Sequence, residues 1–367
     1  AGLAGYVGFE ALAALEPSLP LPARNSLGLP SVWARSYRGA LVLDHLHQVA
    51  ELQLLAEAGA ESAGFERLAA WAALLRDPHF PGPAAAERPR ATAQTTREAF
   101  EAMVRRTQER ILDGDVYQLV PSQRIRVDGA PAPLEAYRRL RRLNPSPYGY
   151  LLEWDGLALV GASPEMLVRV QAGEAETLPI AGTVPRGASE AEDAARFEAL
   201  RSDPKERAEH QMLVDLARND LGRIAVPGGV RVEQPLALQR TSHVLHLTTT
   251  VKATLKPGLD AFDVLASAFP AGTVSGAPKI RAAQRIAEME GELRGPYGGA
   301  LLRYGADGAL DTALILRTAL YAAGAAWLQA GAGIVRASVP AKEYQETLAK
   351  MGAVAEALGV DLEEVCR

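Results

Sequence analysis

The stretch AFPAGTVSGAPKIRAAQRIAEME (residues 268–290), continued by GELRGPYGGALLRYGADGALDTALILRTAL (291–320) and WLQAGAGIVR (327–336), decides the fold of this chain. Gly272-Thr273-Val274-Ser275-Gly276 is too small and flexible to be a strand centre. It leads into a helical run over 278–289, where Ile280, Ala283, Ile286 and Ala287 recur at helical spacing and Gly291 supplies a stop. Ser275 is placed to cap that helix. Backbone N–H groups converging at a helix N-terminus suit an anion, although an ordinary strand-to-helix connection has the same sequence. A nucleotide P-loop is excluded, because Lys279 follows Gly276 by three where that motif needs it adjacent. Residues 300–304 read as a strand, Asp307-Gly308 as a hairpin turn, and 311–320 as the returning strand. Arg317 interrupts the apolar run Ala313, Leu314, Ile315, Leu316. A charge in a buried strand is costly unless paired, so Arg317 reads either as half of an internal ion pair or as a fork for a carboxylate. Residues 329–333 expose backbone at a second turn, but Arg336 stands where a dinucleotide fingerprint needs its last Gly.

The chain has 367 residues, 48% hydrophobic and 23% charged, enough for a sizeable core and two subdomains. With a net charge of −5 and no basic block, it lacks the footprint of a nucleic-acid binder. Its one cysteine, Cys366, excludes a disulfide framework and a cysteine metal cluster. No apolar run approaches the ~18 residues of a membrane span and no signal peptide is visible, which predicts a cytoplasmic protein.

Outward from the core stretch, the pattern predicts turn-rich residues 5–9, a strand over 40–45, a helix over 64–76 and a Pro/Ala-rich linker or mobile loop over 77–94. An amphipathic helix over 95–114 buries Phe100, Met103, Val104, Thr107 and Ile111, and 116–127 follows as a strand carrying Gln118. Glu165 sits in a turn after Ser163-Pro164. In the helix over 205–222, Glu209, Leu213 and Leu216 fall at i, i+4 and i+7, so Glu209 shares the apolar face. A carboxylate there needs a metal, or an internal pair with an Arg or His210. In the strand over 241–248, His243 and His246 are three apart and so on opposite faces. Ser338 is placed as an N-cap ahead of Pro340. Glu346 lies four before Lys350, the spacing of an exposed ion pair, and three after Glu343 on adjoining positions of one helix face.

Jointly and in this order, strongest from 98 to 358, these motifs resemble the chorismate-utilising enzymes, and most closely the large, aminating subunits of the anthranilate synthase branch. The resemblance implies an α+β fold, with a mixed, largely antiparallel two-layer sheet core, outer helices and an active-site cleft. It implies residues 1–76 as the remainder of an N-terminal regulatory subdomain, 77–94 as the linker and 95–367 as the chorismate-binding catalytic domain. The opening AGLAGYVGFEA then belongs to a member lacking its N-terminal segment. The implied reaction is Mg²⁺-dependent amination of chorismate at C2, with loss of the C4 hydroxyl and elimination of pyruvate. Glu209 and Glu346 match the Mg²⁺ ligands, with Glu343 reaching the metal through water. Glu165, His246 and Thr273 match proton-transfer positions. Gln118 stands where isochorismate- and salicylate-forming relatives carry a lysine. Gly182, Thr183, Tyr297, Arg317, Gly331, Ala332 and Gly333 match chorismate contacts. Ala181 stands where aminodeoxychorismate synthases carry a covalent lysine, so that branch is the alternative, together with a non-catalytic chorismate-binding fragment. Pro147, Tyr148 and Gly149 match part of a tryptophan feedback site, expected to act in the full-length enzyme. The implied partner is a glutamine amidotransferase subunit supplying ammonia.

Overall fold

The computed structural model describes residues 2–22, 24–77, 88–241 and 244–365. Ser242, His243, Cys366 and most of the segment read as a linker lie outside these residues. Arg90–Ala93, at the end of that segment, is a strand paired with Ser122–Asp128.

Two antiparallel sheets organise the described chain. A nine-stranded sheet runs in the order Ile180–Pro185, Val244–Leu255, Glu174–Thr177, Met166–Gln171, Leu310–Leu314, Ala300–Gly305, Gly2–Val7, Val32–Tyr37, with Ala225–Arg240 also on Val244–Leu255. A six-stranded sheet runs Arg90–Ala93, Ser122–Asp128, Ala325–Gly331, Thr318–Ala322, Leu157–Ser163, Tyr148–Trp154. The sheets meet through Tyr6, Leu301 and Ile315 on one side and Tyr150, Leu159 and Trp327 on the other. Helices cover the outer faces. Pro204–Gly222, Ala261–Ala268 and Lys279–Glu290 share a core with the larger sheet. Arg97–Leu112, Pro133–Leu143 and Pro340–Leu358 share one with the smaller. This is the α+β, two-layer sheet core that the sequence predicts. Among the described residues no helix is long and apolar enough to cross a membrane.

Several local readings change. Residues 5–9 are not a turn: Gly2–Val7 pairs with both Ala300–Gly305 and Val32–Tyr37, and Gly5 lets the neighbouring Trp33 backbone approach. The strand over 116–127 is two, Gln118–Leu119 and Ser122–Asp128, broken at Pro121, which has no N–H to donate. The hairpin strand over 311–320 is also two. Leu310–Leu314 stays with Ala300–Gly305, while Thr318–Ala322 joins the other sheet. Ser275 does not cap the Lys279–Glu290 helix: Pro278 is its N-cap, and Ser275 Oγ donates to the Ala271 carbonyl at 2.8 Å. Gly291 does end that helix, at φ +65°. Val339, not Ser338, is the N-cap of the last long helix, and Ser338 Oγ accepts from the Val335 N–H.

Candidate active site

Two chain crossings between the sheets build the site. Leu157–Ser163 passes through Pro164-Glu165 into Met166–Gln171, and Leu310–Leu314 passes through Ile315-Leu316-Arg317 into Thr318–Ala322. The crossings lie side by side, because the Leu314 N–H donates to the Glu165 carbonyl at 3.0 Å and the Ala162 N–H to the Arg317 carbonyl at 3.2 Å. Arg317 takes φ +49°, a left-handed conformation that strains any residue but Gly by about 1–3 kcal/mol. Among the described residues its guanidinium makes no hydrogen bond or ion pair. Burial lowers its pKa and only the charge of Glu165 opposes that shift. Sequence left open an internal ion pair or an anion fork; among the described residues Arg317 has no ion pair.

Glu165 keeps part of its surface open to a cleft of about 60 Å³, lined also by Thr273, Leu213, Leu216 and Asp220. Burial pushes its carboxyl up to about 7, against the Thr273 hydrogen bond and the charges of Lys350 and Arg317. Thr273 Oγ1 donates to Glu165 Oε1 at 2.9 Å, so the Gly-rich turn joins the site through a side chain. Across the larger sheet, His246 Nδ1 lies 3.0 Å from Thr183 Oγ1 and 3.3 Å from the Gly182 carbonyl. A carbonyl only accepts, so Nδ1 carries the proton and Nε2 presents its lone pair. Burial holds the imidazole below its usual pKa, helped by the charge of Arg317. Gly182 sits at a bulge with φ +66°, and a Cβ there would meet Glu206 Oε2 at 3.0 Å.

The Gly331–Gly333 turn forms another wall. Tyr297 is buried, its hydroxyl accepts from the Gly331 N–H, and burial pushes its pKa up to about 12. The Ala332 N–H donates to the Pro121 carbonyl at 3.3 Å. Sequence reading offered all three N–H groups of this turn to a ligand; the first two are committed internally, because the turn continues the pairing with Ser122–Asp128. Gln118 packs against the turn, its Nε2 2.6 Å from where a Gly333 Cβ would stand. Lys350 Nζ donates to the Gly331 carbonyl at 2.9 Å and pairs with Glu346 at 2.7 Å. Sequence reading saw Lys350 only as the partner of Glu346.

The candidate metal ligands need one correction. Glu209 is not on the buried face of its helix, which runs through His210, Val214, Ala217 and Leu221. Its side chain is 47% exposed and pairs with Lys205 at 3.7 Å. His210 turns inward to Thr249 Oγ1, 2.6 Å away, so it is no partner of Glu209. The helical step of 100° separates Glu209 from the buried stripe and sets it with the cleft-lining Leu213 and Leu216. Glu206, one turn earlier, was missed, although Glu206-x-x-Glu209 repeats the spacing of Glu343-x-x-Glu346. Burial and the neighbouring Glu209 raise the pKa of Glu206, and burial, with Glu346 adding, raises that of Glu343. The charge of Lys205 acts on Glu343, which brings the two helix starts near each other. Among the described residues no three such side chains converge to hold a metal unaided. Two pairs of glutamates one helical turn apart nevertheless fit a hard divalent cation whose remaining ligands are water and substrate oxygens.

The chorismate binding enzyme family model matches residues 1–356. The chain belongs to the chorismate-binding enzyme family. This chorismate-binding enzyme is 46% identical over 373 residues to the anthranilate synthase component 1 of Streptomyces coelicolor, covering 97% of this chain and 72% of that protein. It is 44% identical to the Thermus thermophilus protein of the same name, covering 97% and 77%. The solved anthranilate synthase component I of Streptococcus pneumoniae superposes with a TM-score of 0.87 at 38% identity, covering 96% of this chain and 80% of that one.

The stretch Pro147-Tyr148-Gly149 stands apart from these walls. Tyr148 lies 3.1 Å from Asp311 Oδ1 and accepts from Arg169, on strands leading away from the crossings. A Cβ at Gly149 would meet only the end of the Tyr137 side chain, at 3.6 Å or beyond, so the position admits a larger residue.

Proposed function

We propose that this chain is an anthranilate synthase large subunit, converting chorismate and ammonia to anthranilate, pyruvate and water. The observation that carries the reading is Arg317, a strained, unpaired guanidinium set beside Glu165 and His246. A half-buried cation with no hydrogen-bond or ion-pair partner among the described residues is suited to a substrate carboxylate, to which it presents a planar fork. Tyr297 Oη and the Gly333 N–H complete the seat for the enolpyruvyl carboxylate, with Gly331 and Ala332 shaping it. Gly182 and Thr183 hold the ring side. Gln118 faces the incoming ammonia.

Glu165, with a pKa of about 7, keeps a protonated share at neutral pH and donates to the departing C4 hydroxyl. Thr273 holds the carboxyl in place. His246 is neutral with a free Nε2 lone pair, which makes it an acceptor of the C2 proton when enolpyruvate leaves. Glu209 and Glu346, with Glu206 and Glu343 beside them, would hold Mg²⁺. The ion supplies charge withdrawal through the ring carboxylate. Lys205 pairs with Glu209 and Lys350 with Glu346, so a bound cation would compete with both lysines for these carboxylates. The ammonia comes from a separate glutamine amidotransferase component, as the subunit naming of the relatives suggests, and tryptophan acts at Pro147, Tyr148 and Gly149.

The test is anthranilate fluorescence from the purified chain with chorismate, Mg²⁺ and ammonium chloride. A growing signal, lost on chelation and in a folded Arg317→Ala variant, supports the reading. An aminated product that fluoresces only after aminodeoxychorismate lyase is added refutes it in favour of the alternative. An Arg317→Ala variant as active as the parent removes its main support.

A further inference from the structure

Arg294 is a second arginine bound up with the site, and no ligand could reach it. It is 2% exposed and among the largest fully buried side chains. Its Nε donates to Glu290 Oε2 at 2.9 Å and its Nη2 to Glu290 Oε1 at 2.6 Å. Nη1 donates to the Val274 carbonyl at 2.8 Å and Nη2 to the Val120 carbonyl at 2.6 Å. The guanidinium lies over the rings of Phe9, 4.6 Å from its centroid, and Tyr297, at 5.5 Å. The Arg294 and Gly295 N–H groups both donate to the buried Glu10, at 2.6 and 2.9 Å.

The acceptors stand next to three separate walls of the site. Val274 follows Thr273, whose hydroxyl holds Glu165. Val120 lies two residues after Gln118, in the break before Ser122–Asp128. Tyr297 receives the Gly331 N–H. Glu290 Oε1 also accepts from the Ser122 N–H and Oγ, both at 2.8 Å, which ties the same strand a second time. A lysine in this place could not span these acceptors, since one ammonium cannot reproduce a planar fork with stacked faces. The same fold could cover Glu290 with apolar side chains. What only the fork provides is a fixed distance between the walls.

We propose that Arg294 is a positioning residue for the amination reaction: one buried guanidinium sets the spacing between Thr273–Glu165, Gln118 and Tyr297–Gly331. The inference rests on the function proposed above. Displacement of a reacting group by about 1 Å can cost about a hundredfold in rate, so the effect falls on kcat.

The experiment compares the parent chain with Arg294→Lys and with Arg294→Met/Glu290→Gln, under saturating chorismate, Mg²⁺ and ammonium. The double variant removes the buried charge pair together, so no unpaired charge is left behind, although the Val120 and Val274 carbonyls lose their donor; the new glutamine still accepts from Ser122. Expected are folded variants with kcat lowered about a hundredfold, KM for chorismate changed less than about threefold, and a shifted Glu165 limb in the pH–rate profile. Folded variants within about twofold of the parent in kcat, with that limb unmoved, overturn the inference. A fall only in proportion to the folded fraction also overturns it, because a purely structural role predicts that. A parent chain without amination activity instead overturns the function on which the inference rests.

Discussion

Glu165→Gln should make this protein more stable and less active at the same time. The carboxyl is raised from 4.5 to about 7, with burial as the largest cause. The folded state therefore holds its proton more tightly than the unfolded chain, and stability falls as pH rises from about 4.5 to about 7. Above that window the native state carries an ionised buried carboxylate at a penalty of roughly 3 kcal/mol, at about 1.4 kcal/mol per pKa unit. Water in the open cleft trims this to about 2–3 kcal/mol. Glutamine keeps the shape and an oxygen to accept from Thr273, and it cannot ionise. At roughly 2.1 cal/mol/K of unfolding entropy per residue, the 367-residue chain shifts Tm by about 1 °C per 0.8 kcal/mol. The variant should melt about 3 °C above the parent at pH 8.5 and within about 1 °C of it at pH 4.5. Its amination rate should drop by roughly 10²–10⁴, the usual worth of a positioned acid. Calorimetry at the two pH values and the anthranilate assay measure both effects. A Tm difference that does not grow with pH, or a rate within about twofold of the parent, would refute the reasoning.

Three further outcomes follow from named contacts. Lys279→Met strands the buried Asp220, 3.0 Å from Lys279 Nζ, and should cost about 3–5 kcal/mol by urea unfolding, most of it recovered in Lys279→Met/Asp220→Leu. Gly333→Ala places a Cβ 2.6 Å from Gln118 Nε2 and should lower kcat/KM for ammonium about tenfold, with a normal melting curve, since only the end of a side chain has to move. Glu346→Gln should raise the Mg²⁺ concentration for half-maximal rate by about 10–100-fold. It should leave stability within about 0.5 kcal/mol, because the pair it breaks with Lys350 is exposed.

The amino-acid order itself carries the element types and most of the reactive groups. Helical periodicity placed the Arg97–Leu112 and Lys279–Glu290 helices to within two residues, and Asp307-Gly308 marked the hairpin, because these signals are local. The motifs supplied Glu165, Thr273, His246, Arg317 and Gln118; of these, Thr273 bonds Glu165, the charge of Arg317 acts on both Glu165 and His246, and Gln118 lies against the Gly333 turn. Other readings failed where a non-local partner decides. Whether residues 311–320 form one strand or two depends on which sheet each half joins, and the apolar run reads alike in both cases. Glu209 looked buried because Leu213 and Leu216 share its stripe, yet that stripe lines an open cleft while the His210 face packs. The N–H groups of Gly331 and Ala332 looked free because sequence does not say which carbonyl or hydroxyl lies opposite. Periodicity and residue chemistry thus act within a turn or a strand, and the sequence alone determines them. The strained conformation of Arg317, the burial that lifts Glu165 and the enclosure of Arg294 arise from segments over a hundred residues apart, so only the tertiary packing of two sheets could decide them.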